Sequence, residues 1–157
     1  MKLDLGCGDR PYEDGTGWTH MDERHLPHVE IVGKIEHVLS LVGVNTCEAI
    51  MARHVLEHFS HKLIHKILVD WKWLLKEGGI LHIEVPNLEW QAKQIAASNQ
   101  KLHDDIVVLI FGDQDYPGNF HKTGFTQLSL WVALEKAGFR DVHVEDIGMV
   151  LVAEGTK

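Results

Sequence analysis

Four short apolar runs, separated by longer segments, constrain the fold of this chain more than any other feature of its sequence. They are KLDLGC (2–7), HVEIVGK (28–34), CEAIMA (47–52) and GGILHIEVP (78–86). Each run has the length and the nearly continuous apolar character of a strand that is buried on both faces. Such strands occur in parallel sheets covered by helices, so the runs predict an α/β fold.

Helical periodicity fills the segment between the third and fourth runs. In SHKLIHKILVDWKWLLKEGG, apolar residues recur at helical spacing while lysines occupy the other face. Ser60 is a candidate N-cap of this helix, and Gly78 or Gly79 marks its predicted end. The helix also carries Trp71 and Trp73, which are predicted to pack rather than to form a binding platform.

The rest of the chain continues the alternation. Helices are predicted over LEWQAKQIAAS, KLHDDIVVLIF and, after the candidate N-cap Thr126, QLSLWVALEKAG, which stops at Gly138. Two closing strands, DVHVEDI and MVLVAEG, are predicted to join through Gly148. The long segment GDQDYPGNFHKTG (112–124) is predicted to be a loop, and a loop of this length in a compact domain is commonly functional.

Size and charge limit the partners of the chain. Its 157 residues, 45% of them hydrophobic, predict one domain over 1–157. The formal charge is −8, and no run of basic residues is present to bind a phosphate backbone, so no nucleic-acid partner is expected. No membrane-spanning stretch or export signal is visible, and the isolated Cys7 and Cys47 suit a reducing compartment. We therefore expect a cytoplasmic protein without a membrane partner.

The turn after the first apolar run indicates a ligand site. LDLGCG places Gly6 and Gly8 where a ligand approaches the backbone closely. The third glycine of a dinucleotide fingerprint is replaced by Pro11, which argues against a pyrophosphate. Asp4 suits a ligand that carries an ammonium and a sulfonium, and Asp22 in GWTHMDE suits the two ribose hydroxyls. Together these residues predict a nucleoside cofactor without a pyrophosphate.

Five segments in order, LDLGCGD, GWTHMDE, HVLEHF, LLKEGGILHIEVPN and LWVALEKAGF, resemble the successive motifs of class I S-adenosylmethionine-dependent methyltransferases. The resemblance implies a Rossmann-like three-layer sandwich with a mostly parallel seven-stranded sheet, order 3-2-1-4-5-7-6, last strand antiparallel. It also implies S-adenosylmethionine as cofactor, S-adenosylhomocysteine as product, and an oxygen or nitrogen acceptor on a small molecule. Smaller members with a similarly short start add a sugar or glycan to the expected acceptors.

The cofactor-binding residues implied by the resemblance follow the motif positions. The methionine part of the cofactor is assigned to Asp4, Gly6, Cys7 and Gly8, the ribose to Asp22, the two sides of the adenine to Lys34 and Ile35, and the vicinity of the sulfonium to His54. Two features depart from the family pattern. Lys34 stands where many members have an acid, and the segment 8–18 is too short for the usual full helix, which leaves the cofactor less covered. We therefore also consider a pair of chains, a homodimer, that would cover it.

Few side chains need to take part in methyl transfer, because an in-line displacement depends mainly on alignment. A hydroxyl or ammonium acceptor must still lose a proton, and His121 or His54 is the predicted base. His121 is favoured because it lies in the long loop, although a role in ordering that loop is equally well supported. The predicted acceptor-binding residues are Tyr116, Asn119, Lys122 and Trp90.

The segment HVLEH (54–58) also fits H-x-x-E-H, a zinc-peptidase signature. That signature needs both histidines on one helix, whereas this segment follows a strand, so no metal is predicted. Glu57 and His58 are instead expected to hydrogen-bond to backbone groups. Two alternatives to the methyltransferase remain: a catalytically inactive cofactor-binding partner module and, less favoured, a zinc hydrolase using His54, Glu57 and His58.

Overall fold

The structure is a computed structural model that describes residues 1–97 and 103–157. Seven strands are present: β1 Lys2–Leu5, β2 Thr19–Asp22, β3 Ile31–Val32, β4 Cys47–Arg53, β5 Leu75–Pro86, β6 Arg140–Asp146 and β7 Val150–Thr156. The helices are α1 Val38–Val42, α2 Ile64–Leu74, α3 Leu88–Ala96, α4 His103–Phe111 and α5 Gln127–Lys136. Two single-turn 3-10 helices, Ile35–His37 and Leu56–His58, follow β3 and β4.

The strands form one sheet in the order β3-β2-β1-β4-β5-β7-β6. The first five pair in parallel, and β7 is antiparallel to both β5 and β6. The predicted strand order and the antiparallel last strand are therefore confirmed. Because β1 and β4 are parallel neighbours, the turns that follow them leave the same edge of the sheet.

The core lies between the central strands and the apolar face of α2. Leu3, Leu5 and Ile50 of the central strands are fully buried, as are Leu68 and Trp71 of α2. Helix α2 also contacts α1 and α5, and α3 packs on α4. The prediction for Trp71 agrees with this core. The prediction for Trp73 is wrong, because more than half of its surface is exposed.

Two element boundaries differ from the predictions. The run HVEIVGK contributes only two residues to β3, because the amide of Val29 closes a turn on the carbonyl of Leu26. Helix α2 ends at Leu74, before the predicted glycines, since Leu75 already pairs with Cys47 as the first residue of β5. Gly78 and Gly79 thus lie inside a strand, close to an irregularity in its pairing.

Other predicted boundaries agree with the structure. Thr126 caps α5 through a reciprocal pair of bonds with Ser129, and Gly138 follows that helix with a positive φ. The loop 112–124 contains no helix or strand. The two predicted helices before it, 88–98 and 101–111, correspond to α3 and α4. Residues 98, 101 and 102 of these predictions lie outside the described part of the chain. Among the described helices, none is long and apolar enough to cross a bilayer.

Candidate functional site

The turn after β1 brings the backbone of two glycines to the edge of the sheet. Gly6 and Gly8 have φ values of +62° and +58°, in the region that side chains disfavour. A Cβ on Gly6 would lie 2.6 Å from Cγ2 of Val55, in the segment that follows β4. Cys7 between them is buried, and burial raises the pKa of its thiol to about 12. Close packing thus favours glycine at position 6, and the positive φ favours glycine at both positions.

Asp22 ends β2 beside this turn and is almost fully buried. Its Oδ2 accepts a hydrogen bond from the amide of Gly8 at 2.9 Å. Its Oδ1 accepts bonds from the amide of Arg24 at 2.9 Å and from Nε of Arg24 at 3.1 Å. The predicted ribose acid therefore lies next to the predicted glycine turn, and Arg24 is bonded to it.

Sequence reasoning missed Arg24, because no motif marks it. Its guanidinium lies 5.0 Å from the ring centre of Tyr116 in the loop 112–124, in cation–π geometry. Arg24 therefore connects the ribose acid to a predicted acceptor-binding residue. A turn residue two positions after an acid at a strand end is a weak signal that could have pointed to it.

Asp4 is buried within β1, and its carboxylate contacts the short segment before β2 and the strand β2 itself. Oδ2 accepts a hydrogen bond from the amide of Tyr12 at 2.7 Å and lies 3.1 Å from Nδ1 of His20. Nε2 of His20 lies in turn 3.2 Å from Glu13. These contacts give Asp4 a structural role in anchoring the turn. Its predicted contact with the methionine part stays a prediction.

The two predicted adenine neighbours differ in position. Ile35 is half-buried and lies beside the glycine turn, with Cδ1 3.6 Å from a Cβ on Gly6. Lys34 is exposed and precedes the 3-10 helix that begins at Ile35. The structure therefore brings Ile35 to the glycine turn and leaves Lys34 at the surface.

His54 follows β4 directly and has a φ of +53°, which is uncommon outside glycine. Half of its side chain is exposed, and Nδ1 lies 3.4 Å from Oε1 of Glu57. This interaction raises the pKa of His54, against the opposite effect of burial. The segment HVLEH consists of this residue, Val55 and a 3-10 helix, so the helix that a zinc peptidase requires is not present.

The prediction that Glu57 and His58 bond to backbone groups is half right. Nδ1 of His58 lies 3.2 Å from the carbonyl oxygen of Phe120. The carboxylate of Glu57 is 1% exposed, yet neither of its oxygens has a hydrogen-bond partner among the described residues. Only the backbone carbonyl of Glu57 is satisfied, by the amides of Lys122 and Thr123. The one described contact of this carboxylate is the approach of Nδ1 of His54 to Oε1, and Oε2 has no partner among the described residues.

A cavity of about 190 Å³ lies between the loop 112–124, α4 and the 3-10 helix after β4. Its polar wall includes Glu57, His121 and Lys122, and its apolar wall includes Leu88 and Leu109. Burial lowers the pKa of His121, whose Nδ1 lies 2.9 Å from the carbonyl oxygen of Leu109. The structure thus places the predicted base and one predicted acceptor-binding residue in one cavity.

The other predicted acceptor-binding residues lie elsewhere. Tyr116 stacks on Arg24, as described above. Asn119 bonds within its own loop, from Nδ2 to Oδ1 of Asp115 at 2.6 Å. Trp90 lies in the first turn of α3 and does not line the cavity. Their contact with an acceptor stays a prediction.

Comparison with solved structures shows that this architecture is shared with S-adenosylmethionine-dependent methyltransferases. A methyltransferase from Archaeoglobus fulgidus superposes with a TM-score of 0.72 at 15% identity, over 99% of this chain and 85% of that one. The 1,6-didemethyltoxoflavin-N1-methyltransferase of Burkholderia thailandensis, with S-adenosylhomocysteine bound, gives 0.66 at 19% identity, over 99% and 70%. Human N-acetylserotonin methyltransferase in complex with the cofactor gives 0.66 at 14%, over 99% and 47%.

This chain spans about half the length of the human enzyme. No protein-family model and no curated protein sequence matches it. The predicted resemblance is therefore confirmed at the level of the fold.

Proposed function

From the premise that the chain has the fold of S-adenosylmethionine-dependent methyltransferases, we propose that it transfers a methyl group from this cofactor to an oxygen or nitrogen of a small-molecule or sugar-type acceptor. One observation carries the proposal: a turn of two glycines with positive φ, one of them too close to Val55 for a side chain, lies beside a buried acid at the shared edge of parallel strands. The turn is made by Gly6 and Gly8, and the acid is Asp22, bonded to the amide of Gly8. This pairing suits a nucleoside and offers no third glycine for a pyrophosphate.

The residues of the site have separate tasks in this proposal. The glycine turn lets the cofactor approach the backbone, and Asp22 accepts hydrogen bonds from its ribose. Because Oδ1 of Asp22 already accepts two bonds from Arg24, ribose binding requires Nε of Arg24 to move or to share that oxygen. The cofactor supplies an activated methyl group on a sulfonium. The protein supplies the alignment of that methyl group with the acceptor.

The acceptor is assigned to the cavity beside His121. This cavity has an apolar wall and a few polar groups, as sites for small organic molecules commonly have. It is bounded by the segment after β4, the same segment whose Val55 contacts the glycine turn. The predicted roles of His121 and His54 as proton acceptors stay predictions. The buried carboxylate of Glu57 near His121 favours a different role for His121.

Isothermal titration with S-adenosylmethionine and S-adenosylhomocysteine tests the proposal. We expect wild-type protein to bind both, and Asp22→Ala to lose at least tenfold in affinity, because two buried hydrogen bonds to the ribose are removed. Glu135→Ala is the matched control, since it removes one negative charge from the distant helix α5. Absence of binding by folded wild-type protein would remove the proposal. Binding without turnover on any acceptor would instead favour the inactive partner module.

A further inference from the structure

Three potential metal ligands from distant parts of the sequence lie close together, and two of them, Glu57 and His121, line the cavity. Glu57 and His58 belong to the 3-10 helix after β4, and His121 belongs to the loop 112–124. One ligand atom from each lies within 4.8 Å of the others. The imidazole rings of His58 and His121 are 5.0 Å apart and inclined at 70°.

The carboxylate of Glu57 is the unsatisfied member of this cluster. It is 1% exposed, and within the described part of the chain neither oxygen accepts a hydrogen bond. A buried carboxylate without partners costs several kcal/mol unless a cation or a donor compensates it. The nearby Nδ1 of His54 approaches only Oε1, from a half-exposed side chain. Oε2 therefore still lacks a partner among the described residues.

Backbone contacts fix the same tautomer for both histidines. A carbonyl oxygen can only accept a hydrogen bond, so the ring atom that faces it must carry the proton. Nδ1 of His121 faces the carbonyl of Leu109 at 2.9 Å, and Nδ1 of His58 faces that of Phe120 at 3.2 Å. The lone pair of each neutral ring is then on Nε2. Metal-bound histidines typically have this arrangement, in which a backbone carbonyl fixes the tautomer.

We propose that Glu57, His58 and His121 bind one divalent transition-metal ion, with zinc the best match. Two imidazoles and one carboxylate form a known ligand set of catalytic zinc sites, which keep one further position open. Ligands of tetrahedral zinc lie roughly 3.3 Å apart, so binding draws the three side chains together from their present separation.

Because Glu57 and His121 line the cavity assigned to the acceptor, an ion held by them would lie at its wall. Binding of the ion does not depend on the proposed function, but its catalytic use rests on it. A metal-bound hydroxyl releases its proton to solvent more readily. Methyl transfer then forms one carbon–oxygen bond, breaks one carbon–sulfur bond and leaves S-adenosylhomocysteine. In this arrangement His121 holds the metal and is not the base.

Another group of potential ligands, Asp4, Cys7 and His20, supports no such proposal. Its carboxylate is already bonded to the amide of Tyr12 and lies at hydrogen-bonding distance from His20. The contrast with Glu57 is the reason for assigning the metal to the cluster at the cavity.

Titration of tag-free, EDTA-treated protein with zinc chloride tests this inference, and the visible absorption of the cobalt-substituted protein reports the ligand geometry. We expect one ion per chain and at least a tenfold loss of affinity in Glu57→Gln and in His121→Ala. His65→Ala is the matched control, because His65 is an exposed histidine of α2, and it should bind like wild type. His54→Ala should also retain the ion, whereas the zinc-peptidase signature requires its loss.

The outcomes separate this inference from the proposed function. Retained binding of S-adenosylhomocysteine by Glu57→Gln shows that the variant is folded. Wild type that binds S-adenosylhomocysteine but not zinc would overturn the metal site alone. Zinc binding without cofactor binding would overturn the proposed function alone. Equal loss in His65→Ala, or loss in His54→Ala but not in His121→Ala, would overturn the assigned ligand set.

Discussion

Gly6 illustrates how a single residue can decide whether the site forms. Its φ of +62° disfavours any side chain, and the nearest atom of Val55 leaves no space for a Cβ. Gly15 has a similar φ of +78° but no atom within 4 Å of its Cβ position. A side chain at Gly15 would therefore meet only the cost of the left-handed backbone conformation, whereas a side chain at Gly6 would add steric overlap with Val55.

We expect Gly15→Ala to lower the free energy of unfolding by about 1 kcal/mol, the usual penalty of a left-handed conformation. Gly6→Ala should cost about 2–4 kcal/mol, because overpacking against Val55 is added to that penalty. Urea unfolding of both variants measures the difference. Equal losses would mean that Val55 moves aside freely and that the turn is not tightly constrained.

Arg24 and Glu57 show which residues could not be assigned from the sequence one residue at a time. Each has an ordinary residue type at an ordinary position, and each gains its importance from a distant partner. Arg24 contacts Tyr116, and Glu57 is brought to His121 by the bonds from Lys122 and Thr123 to its backbone carbonyl. The sequence predicted His121 in a functional loop but not the carboxylate it would meet.

At the scale of elements, a candidate N-cap residue in the sequence identified the start of α5 but not the start of α2. Thr126 and Ser129 form a reciprocal capping box at the start of α5. Ser60 was predicted to cap α2, yet that helix begins at Ile64. Among the described residues, the hydroxyl of Ser60 accepts only a long bond of 3.4 Å, from the amide of Lys62. A hydroxyl side chain at a predicted cap position therefore contributes differently to the stability of the helix at the two sites.

Thr126→Ala should lower the free energy of unfolding by about 1 kcal/mol, because an amide at the start of α5 loses its acceptor. Ser60→Ala should change it by less than about 0.5 kcal/mol, as expected of a surface substitution. Thermal or urea unfolding of the two variants provides the comparison. A larger loss in Ser60→Ala would show that the turn before α2 contributes more than its hydrogen bonds indicate.

At the scale of the whole molecule, the candidate site joins parts of the chain that are far apart in sequence. The glycine turn follows β1, Asp22 ends β2, and Val55 follows β4, and parallel pairing brings all three to one edge. A ligand that bridges them binds only the folded chain. It should therefore stabilise the fold as a whole rather than one element.

S-adenosylhomocysteine at 100 times its dissociation constant should add about 2.7 kcal/mol to the free energy of unfolding. For a chain of this size the expected rise in Tm is roughly 5–11 °C. Scanning calorimetry with increasing ligand measures it. Adenosine diphosphate serves as the control nucleotide, because the turn lacks the third glycine of a pyrophosphate site. Equal stabilisation by both compounds would contradict the assigned ligand class.

The association of two chains and the cytoplasmic setting also belong to this scale, and both stay predictions. The segment before β2 contains no helix, and the exposure of the cofactor expected from this is what motivates the predicted pairing. Sedimentation equilibrium with and without S-adenosylhomocysteine measures the association directly.

Taken by itself, the sequence determined the apolar strands, the position of the glycine turn, the loop 112–124 and, through resemblance, the order of the strands. The strands, the turn and the loop could be predicted because apolar runs, helical periodicity and glycine positions reflect the conformation of neighbouring residues. Only the tertiary structure decided that α2 ends at Leu74, where β5 begins pairing with β4. It alone also placed the buried carboxylate of Glu57 near His58 and His121, because burial and contacts between residues distant in sequence depend on the packing of the whole chain.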